Sequence, residues 1–361
     1  MIFEITPIFS VVYGFVVALL VSVALVTTKH LHGGLTLDTD EGVQKFHSAP
    51  TPRIGGVSLV IGFFAAWVVM DGEARYLFGL IGLAGLPALF FGLMEDITKK
   101  VGVKARLAAT IASGMIFALL TGYTITSIDV WGIDYALAVP LVSFAFTAFA
   151  IGGAANAINL IDGFHGLASG TLLIILLAFA LVGWRVEDTV LVSLALVMAA
   201  IVGGFFVVNF PFGKLFLGDA GAYFAGYFVA VLAVMLPARN PEVSPWISLL
   251  ILSYPVTETV VSIVRRLMDE GAHPGEPDSA HLHHVVHRNW AHKVAHYFES
   301  PTSQNALTSL FMWILPLVTL ASVAYCGLQS GSALAYLTIC VVFYLASYRG
   351  ISTGSAFGRK V

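Results

Sequence analysis

Long apolar runs separated by short polar stretches follow one another along the whole of this chain. An apolar run of about 17 residues or more is long enough to cross a hydrocarbon core of about 30 Å as an α-helix. The pattern therefore predicts an all-α fold, a polytopic transmembrane helical bundle of about eleven spans with ten as the alternative. The spans are expected at roughly 8–28, 54–71, 76–94, 105–121, 136–155, 168–184, 189–209, 220–237, 246–266, 304–325 and 333–348.

Composition agrees with a membrane as the solvent. The 361 residues are 58% hydrophobic and only 11% charged, with a mean hydropathy of +0.89. That is too little charge for a soluble globular domain, and we predict one integral membrane domain over residues 1–361. The first apolar run lacks the basic segment and cleavage site of a signal peptide, so we interpret it as a retained span. Cys326 and Cys340 lie in late apolar runs and are interpreted as packing residues.

Basic residues are concentrated in alternate connections, fifteen on one side and three on the other. The positive-inside tendency then places the N-terminus outside and the C-terminus in the cytoplasm. The fifteen are Lys29, Lys45, Arg53, Lys99, Lys100, Lys104, Arg106, Lys214, Arg265, Arg266, Arg288, Lys293, Arg349, Arg359 and Lys360, and the three are Arg75, Arg185 and Arg239. Five loops on the cytoplasmic side carry most of the polar side chains and are predicted to form one active site. They lie near residues 29–53, 95–104, 156–167, 210–219 and 267–303.

Two carboxylates, Glu95 and Asp96, stand at the end of a long apolar run, and lysines including Lys104 follow them. One interpretation is a solvated helix end balanced by the lysines. The other is a carboxylate that handles a cation or positions a phosphate nucleophile, with lysines supplying charge for phosphate groups.

A second motif repeats a polar residue at every third position: Asn156, Asn159, Asp162 and His165. On a helix this spacing places the side chains along one stripe, so that they face a single cleft until glycines break the helix. A polar zipper between helices is the structural alternative. Ionisable groups within a membrane bundle usually mark function, which favours a functional site.

In a third motif, Asp219 stands between Gly218 and Gly221 just before another apolar run. Asp219 is expected to cap the following helix, and the glycines would also let a diphosphate or a hydrated cation approach the backbone. The two roles are compatible.

The fourth motif is a histidine-rich stretch with His281, His283 and His284. Its prolines and its Asp-Ser pair predict a loop and then an interfacial amphipathic helix that begins near Ser279. No cysteine or neighbouring glutamate completes a zinc set, so a cationic site for phosphates is favoured over zinc and over a basic helix at the membrane surface. Glu258, in the preceding apolar run, is interpreted as a structural or supporting group that faces the bundle.

Together, in this order and on one face, these stretches resemble the polyprenyl-phosphate N-acetylhexosamine-1-phosphate transferase family (glycosyltransferase family 4). Glu95-Asp96 is similar to the family's paired aspartates, residues 156–163 to its second motif and residues 217–219 to its third. Residues 45–56 resemble its first cytoplasmic loop, so the resemblance covers about residues 29–290. The His-x-His-His order at 281–284 resembles the WecA-like branch, which begins O-antigen and related polysaccharides, more than the peptidoglycan branch. Glu95 and His165 depart from the family pattern.

The resemblance implies transfer of N-acetylhexosamine 1-phosphate from a UDP-sugar to polyprenyl (undecaprenyl) phosphate, with release of UMP. UDP-GlcNAc or a modified relative is the expected donor, and the reaction would begin lipopolysaccharide or cell-wall polymer synthesis at the cytoplasmic face of a bacterial inner membrane. The alternatives are a phospho-N-acetylmuramoyl-pentapeptide transferase and a transporter of an ion or a nucleotide-sugar. No nucleic acid partner is expected, and a homodimer is left open.

The resemblance also implies roles for individual residues. The metal ligands would be Asn159 and Asp219, holding Mg²⁺ or alternatively Mn²⁺, and the catalytic residues Asp96, Glu95 and Asp162. The substrate-binding residues would be Lys45, Lys104, Asn156, His165, His281, His283 and His284. Asp96 is often taken as a base in such families, but a phosphate monoester is already mostly ionised above about pH 6. Orienting the nucleophile or supporting the metal is therefore the alternative role for Asp96.

Overall fold

The computed structural model describes residues 6–38, 50–268, 280–291, 294 and 301–353. In these residues the chain is almost entirely helical, which confirms the all-α prediction. The exception is one antiparallel pair of two-residue strands, β1 (Leu37–Asp38) and β2 (Thr51–Pro52), in which Leu37 lies opposite Pro52.

The helices follow one another in chain order and are joined mostly by short connections. They are α1 Thr6–Thr27, α2 Lys29–Thr36, α3 Gly55–Val69, α4 Gly72–Ala84, α5 Leu86–Thr98, α6 Val103–Thr121, α7 Ile133–Leu137, α8 Pro140–Leu160, α9 Leu167–Arg185, α10 Thr189–Asn209, α11 Gly218–Arg239, α12 Pro245–Ile251, α13 Ser253–Met268, α14 Leu282–Val286, α15 Pro301–Met312, α16 Ile314–Tyr325 and α17 Ser330–Thr353. A π-helical turn, His287–Ala291, follows α14.

Every predicted span coincides with a helix or a pair of helices, but not all of them are long enough to cross a membrane. Eight spans in the described residues are sufficiently long and apolar, and there are ten if α4 with α5 and α12 with α13 each form one span. These pairs are bent by 47° and 79°. The remaining helix, α3, has 15 residues and is therefore only about 22 Å long. The chain is a multi-pass membrane protein, and its described residues hold eight to ten candidate spans, which includes the predicted alternative of ten. The count of eleven and the orientation of the termini stay predictions.

Helix α11 lies at the centre of the bundle and packs against α3, α5, α8 and α9. In its most apolar 18-residue window, 89% of the residues are buried, whereas the corresponding figure for α17 is 17%. Close packing beside α11 depends on small residues: a Cβ added to Gly92 of α5 would lie 2.6 Å from the Ala220 Cα atom. The outer helices carry exposed apolar side chains, including Phe9 and Leu20 of α1, as expected for a surface in contact with lipid.

Both ends of α11 carry buried ionic groups. At its C-terminal end, Arg239 donates hydrogen bonds to Asp188 (2.8 Å), Glu73 (2.7 Å) and the Tyr123 hydroxyl (2.9 Å). Asp188 also caps α10 by accepting from the Leu191 N–H at 3.1 Å. Burial raises the pKa of Asp188, but the hydrogen bonds from Arg239 and Leu191 outweigh that effect and hold it below its ordinary value. Arg239 thus ties the end of α11 to α10 and α4.

Candidate active site

Asp219 lies in the first turn of α11 and is only 3% exposed. Its Oδ1 atom accepts hydrogen bonds from the Arg53 guanidinium at 2.7 Å and from the Asn159 amide at 3.2 Å, and its Oδ2 atom accepts from Arg106. A buried carboxylate requires such partners, because an unpaired charge in the interior is costly. The structure therefore brings together Asn159 and Asp219, the two predicted metal ligands.

Asp96 holds the backbone at the start of the same helix. Its Oδ1 and Oδ2 atoms accept hydrogen bonds from the N–H groups of Asp219 (2.8 Å) and Ala220 (2.9 Å), and the carboxylate is 1% exposed. The first N–H groups of a helix have no partner within the helix, and a negative charge beside them is stabilising. Asp96, rather than Asp219, is therefore the side chain that caps α11.

Gly218 makes this contact possible. Its φ of +73° lies in the left-handed region, and an added Cβ would stand 2.4 Å from the Arg53 carbonyl oxygen and 2.7 Å from Asp96 Oδ2. Only glycine fits this position without displacing both neighbours.

Backbone pairing places Arg53 beside Asp219. The Phe216 N–H donates to the Pro52 carbonyl, and the N–H groups of Gly55 and Gly56 donate to the carbonyls of Phe216 and Leu217, each at 2.9 Å. The first cytoplasmic loop of the family resemblance is thus joined directly to the third motif.

Sequence reasoning did not assign a site role to Arg53 or Arg106. Both were counted toward the charge asymmetry, and Arg53 also lies in the stretch 45–56 that carries part of the family resemblance. Their partner Asp219 is 166 and 113 residues away in sequence. Such distant ion pairs leave no local spacing pattern. The only signal in the sequence was that Arg53 lies within the stretch 45–56 and that Arg106 follows the Glu95-Asp96 motif.

The remaining residues of the first motif have more peripheral positions. Glu95 is half-buried and accepts a hydrogen bond from the Val101 N–H at 2.7 Å, which fixes the turn between α5 and α6. Lys104 is exposed in the first turn of α6, two residues before Arg106. Lys45 lies outside the described residues. The predicted roles of these three residues stay predictions.

Asp162 occupies the turn between α8 and α9 and is half-buried. Burial raises the pKa of its carboxyl group to about 7, with Arg53 lowering it and Asp219 raising it. Asp162 therefore belongs electrostatically to the group around Asp219. The predicted catalytic role of Asp162 stays a prediction.

Asn156 and His165, the predicted nucleotide-pocket residues, make structural contacts. The Asn156 amide donates to the Thr110 hydroxyl (2.9 Å) and to the Gly152 carbonyl (2.8 Å), so it links α8 to α6. His165 is 6% exposed, and its backbone N–H donates to the Asn305 side chain at 2.8 Å. Its ring lies against Phe216, 5.8 Å between centroids. Their predicted contacts with a nucleotide stay predictions.

The three motif histidines of the fourth stretch are buried and packed together. Ring centroids are 5.4 Å apart for His281 and His283, and 4.4 Å apart for His283 and His284. Phe164, from the second motif, packs against His283 at 5.6 Å and against His284 at 5.7 Å. The histidine loop, defined here as residues 280–286, therefore lies against the turn that carries Asp162.

The structure bears on two predictions about the histidine loop. The five residues of α14 are all buried, and α14 continues into the π-helical turn His287–Ala291. Its position relative to a membrane surface stays a prediction. Burial and the neighbouring rings of His284 and His281 hold the pKa of His283 well below its ordinary value, which disfavours a positive charge on this ring. The cationic role of the loop stays a prediction.

The residues that are present suit Mg²⁺ better than zinc. Throughout the described ranges, no three side chains of His, Cys, Asp or Glu converge as a metal-binding group. Mg²⁺ requires fewer protein ligands, because it keeps several waters and usually takes one or two carboxylates together with substrate phosphates. The Asp219 carboxylate supplies oxygen ligands of that kind, and the Asn159 side chain beside it, whose NH₂ group faces Asp219, also carries an amide oxygen. The donor chemistry therefore fits the predicted metal.

Comparison with known proteins points to one family. Residues 78–237 match the model of glycosyl transferase family 4. A Bacillus subtilis (strain 168) protein named "Probable undecaprenyl-phosphate N-acetylglucosaminyl 1-phosphate transferase" is 29% identical over 67% of each chain. An Escherichia coli O157:H7 protein named undecaprenyl-phosphate alpha-N-acetylglucosaminyl 1-phosphate transferase is 26% identical over 68% of this chain and 67% of its own.

A relative of the peptidoglycan type also matches. A Bacillus velezensis phospho-N-acetylmuramoyl-pentapeptide-transferase is 28% identical over 63% of this chain and 74% of its own length. These matches confirm the resemblance predicted from the sequence motifs.

Proposed function

We propose, on the premise of this match to glycosyl transferase family 4, that the protein transfers an N-acetylhexosamine 1-phosphate from a UDP-sugar to undecaprenyl phosphate. The observation that carries the proposal is the Asp219 cluster, defined as Arg53, Asp96, Arg106, Asn159, Asp162 and Asp219. It joins four of the five predicted cytoplasmic loops at one end of the bundle.

The cluster suits phosphate chemistry in three ways. Arginine guanidinium groups bind phosphate oxygens through paired hydrogen bonds. The N-terminus of a long helix, here α11, favours negative charge. The oxygen groups of Asp219 and Asn159 suit a divalent cation that also binds substrate phosphates. A diphosphate is the ligand that uses all three.

The proposed reaction is a single displacement at phosphorus. An oxygen of undecaprenyl phosphate forms a bond to the sugar-linked phosphorus of the UDP-sugar, and the bond from that phosphorus to the bridging oxygen breaks. The products are the lipid-linked diphospho-sugar and UMP, which keeps the bridging oxygen. Such transfers depend on positioning and charge neutralisation. When bound, Mg²⁺ would neutralise phosphate charge.

The residues of the chain then have distinct tasks. Asp219 and Asn159 would hold the cation, and Arg53 and Arg106, which contact Asp219, would balance the phosphate charge. Asp96 keeps Asp219 in place by binding the backbone of α11. Because the lipid phosphate is already ionised at neutral pH, the reaction needs no base to remove a proton from it.

We place the cluster on the cytoplasmic side of a bacterial inner membrane. Asp219 and Arg239 lie at opposite ends of α11, 22 residues long, and are thus about 30 Å apart along its axis. The cluster lies at the end for which the sequence predicts fifteen of the eighteen basic residues, the side that the positive-inside tendency assigns to the cytoplasm. A transporter is less consistent with this geometry, since carriers bind their ligands near the middle of the bilayer.

We propose UDP-GlcNAc or a modified relative as the donor. The His-x-His-His order at residues 281–284 and the names of the first relatives support this choice. A muramoyl-pentapeptide nucleotide is the alternative, because a relative of that type also matches.

The test is UMP release by purified protein in detergent with Mg²⁺ and undecaprenyl phosphate. UDP-GlcNAc, UDP-GalNAc and UDP-MurNAc-pentapeptide would be compared, with Asp219→Asn as the inactive control. We expect lipid-dependent release with a UDP-N-acetylhexosamine. Release with none of the three would overturn the transferase assignment, and release with the pentapeptide nucleotide alone would overturn the proposed sugar.

A further inference from the structure

Glu258 is a buried carboxylate outside the Asp219 cluster. It lies on α13, a few residues after the sharp bend between α12 and α13, and is 1% exposed. A carboxylate in such a position is costly unless its oxygens accept several hydrogen bonds. Its partners therefore indicate why it is there.

The partners of Glu258 come from two other segments of the chain. Its Oε1 atom accepts from the Leu282 N–H at 3.1 Å and lies 3.1 Å from His281 Nδ1, and its Oε2 atom accepts from the Tyr344 hydroxyl at 2.8 Å. Leu282 and His281 belong to the histidine loop, and Tyr344 belongs to the C-terminal helix α17. Glu258 thus joins the loop to α17.

These contacts fix both the backbone and one ring of the loop. The Leu282 N–H opens α14, whose N-cap residue His281 makes no capping bond with its own side chain, so Glu258 supplies the missing acceptor. The Nδ1 atom of His281 faces the same carboxylate oxygen, so Glu258 also fixes the orientation of this ring.

A second tyrosine of α17 holds the start of the loop. The Tyr348 hydroxyl donates to the Ala280 carbonyl at 2.9 Å, and Arg265 donates to the same carbonyl at 2.6 Å. Tyr344 and Tyr348 are four residues apart and therefore lie on one face of α17. That face supports residues 280–282.

From the loop, the contacts continue to the second motif. His281 stacks on His283, with an angle of 16° between the rings. The Nε2 atom of His283 lies 3.3 Å from the position of a Cβ on Gly163, the neighbour of Asp162. In the described part of the chain, the Nδ1 atom of His283 is buried without a hydrogen-bond partner. The anchored loop thus presents a buried polar group beside the Asp219 cluster.

We propose that Glu258, supported by Tyr344, is the residue that positions the histidine loop against the site of phosphate transfer. Glu258 touches neither substrate nor metal and acts through His281 and Leu282. The catalytic part of this inference rests on the proposed function, and the anchoring part does not.

Hydrogen exchange of the substrate-free, full-length protein tests the anchoring. Glu258→Gln keeps the shape of the side chain but cannot accept all three donors, so amide exchange over residues 281–286 should rise about tenfold, as for one lost hydrogen bond to a charged group. Tyr344→Phe should raise the exchange rates of the same amides by a smaller factor. Tyr336→Phe is the matched control, a half-buried tyrosine on α17 for which the described residues show no hydrogen bond. Equal exchange in wild type and Glu258→Gln would overturn the proposal.

A double-mutant cycle on the transfer reaction tests the catalytic part. Glu258→Gln and His281→Ala should each lower kcat/KM by about 10- to 100-fold, the usual cost of losing a supporting contact. If Glu258 acts through His281, the double variant should be little worse than the poorer single one. Multiplied losses would show that Glu258 does not act through the His281 ring. If wild type shows no transfer, the proposed function fails while the exchange measurement still decides the anchoring.

Discussion

The Asp96 carboxylate is bound to the backbone of Asp219, with 2.8 Å between Asp96 Oδ1 and the Asp219 nitrogen. The contact joins the end of α5 to the start of α11 across 123 residues of sequence. It gives the family's paired acidic motif a positional role: Asp96 sets the place from which Asp219 faces Asn159, Arg53 and Arg106.

Asp96→Asn should lower the transfer rate without changing the shape of its pH profile. An amide has one acceptor oxygen, so one of the two N–H groups of α11 would lose its partner, at a cost of about 1–3 kcal/mol in folding stability. Rates from pH 5.5 to 9 and thermal unfolding in detergent would be compared with wild type. The loss of a pH-dependent limb in the variant would instead show that Asp96 transfers a proton.

Replacing Arg106 by lysine should weaken catalysis although the charge is kept. Lysine lacks the planar pair of donors with which arginine binds a carboxylate or a phosphate. We expect kcat/KM for the UDP-sugar to fall by about 10- to 100-fold, as for the loss of one hydrogen bond to a charged group. Arg75→Lys is the control, because Arg75 lies on the opposite side over the Trp67 ring, 5.4 Å from its centroid. Equal values of kcat/KM for the two variants would show that Arg106 does not belong to the site.

Asp162 should make the protein less stable as pH rises toward neutrality. Its pKa is raised in the folded state to about 7 from an ordinary 3.8, so between these values the folded protein binds more protons than the unfolded chain. The contribution of Asp162 to the free energy of unfolding is therefore fully present below about pH 4 and is lost as pH rises through about 7. Between pH 5 and pH 8, the midpoint of thermal unfolding should fall further for wild type than for Asp162→Asn. An equal fall in the midpoint for both proteins would mean that the pKa of Asp162 is not raised.

Gly218→Ala should damage both stability and activity, whereas Gly153→Ala should be tolerated. A methyl group at Gly218 would meet Arg53 and Asp96 at a left-handed φ, but nothing lies within 4 Å of a Cβ at Gly153 in α8. The backbone strain alone costs about 1–3 kcal/mol. Unfolding midpoints and UMP release measure the two effects. A Gly218→Ala protein with wild-type stability would contradict the described packing around Asp96.

Hydropathy located the helices because backbone polar groups in a bilayer must be satisfied within helices. It did not distinguish a straight span from a broken one, as in α12 and α13, or reveal that α3 is only 15 residues long. The bend between α4 and α5 falls at Gly85, with a proline in the first turn of α5, and Pro255 follows the bend between α12 and α13. Hydropathy averaged over a span does not register such local breaks.

The sequence placed Asn159 and Asp219 at span ends on one face, and the family resemblance paired them as metal ligands. In the structure the Asn159 amide lies 3.2 Å from the Asp219 carboxylate, while metal binding stays a prediction. The roles of Arg53 and Glu258 depend on tertiary contacts. Glu258 appeared in the sequence as one acidic residue in an apolar run, and its link to His281 required the fold.

The central claim is that the phosphorus attached to the sugar moves to the lipid. It is tested most directly with UDP-GlcNAc labelled with ³²P at that phosphorus, incubated with Mg²⁺, undecaprenyl phosphate and the purified protein. The account predicts lipid-extractable label and one unlabelled UMP for each labelled lipid, and neither product with Asp219→Asn. Label that stays with the nucleotide as UDP would show transfer of the sugar alone and would contradict the account, as would the absence of any lipid product with every UDP-N-acetylhexosamine.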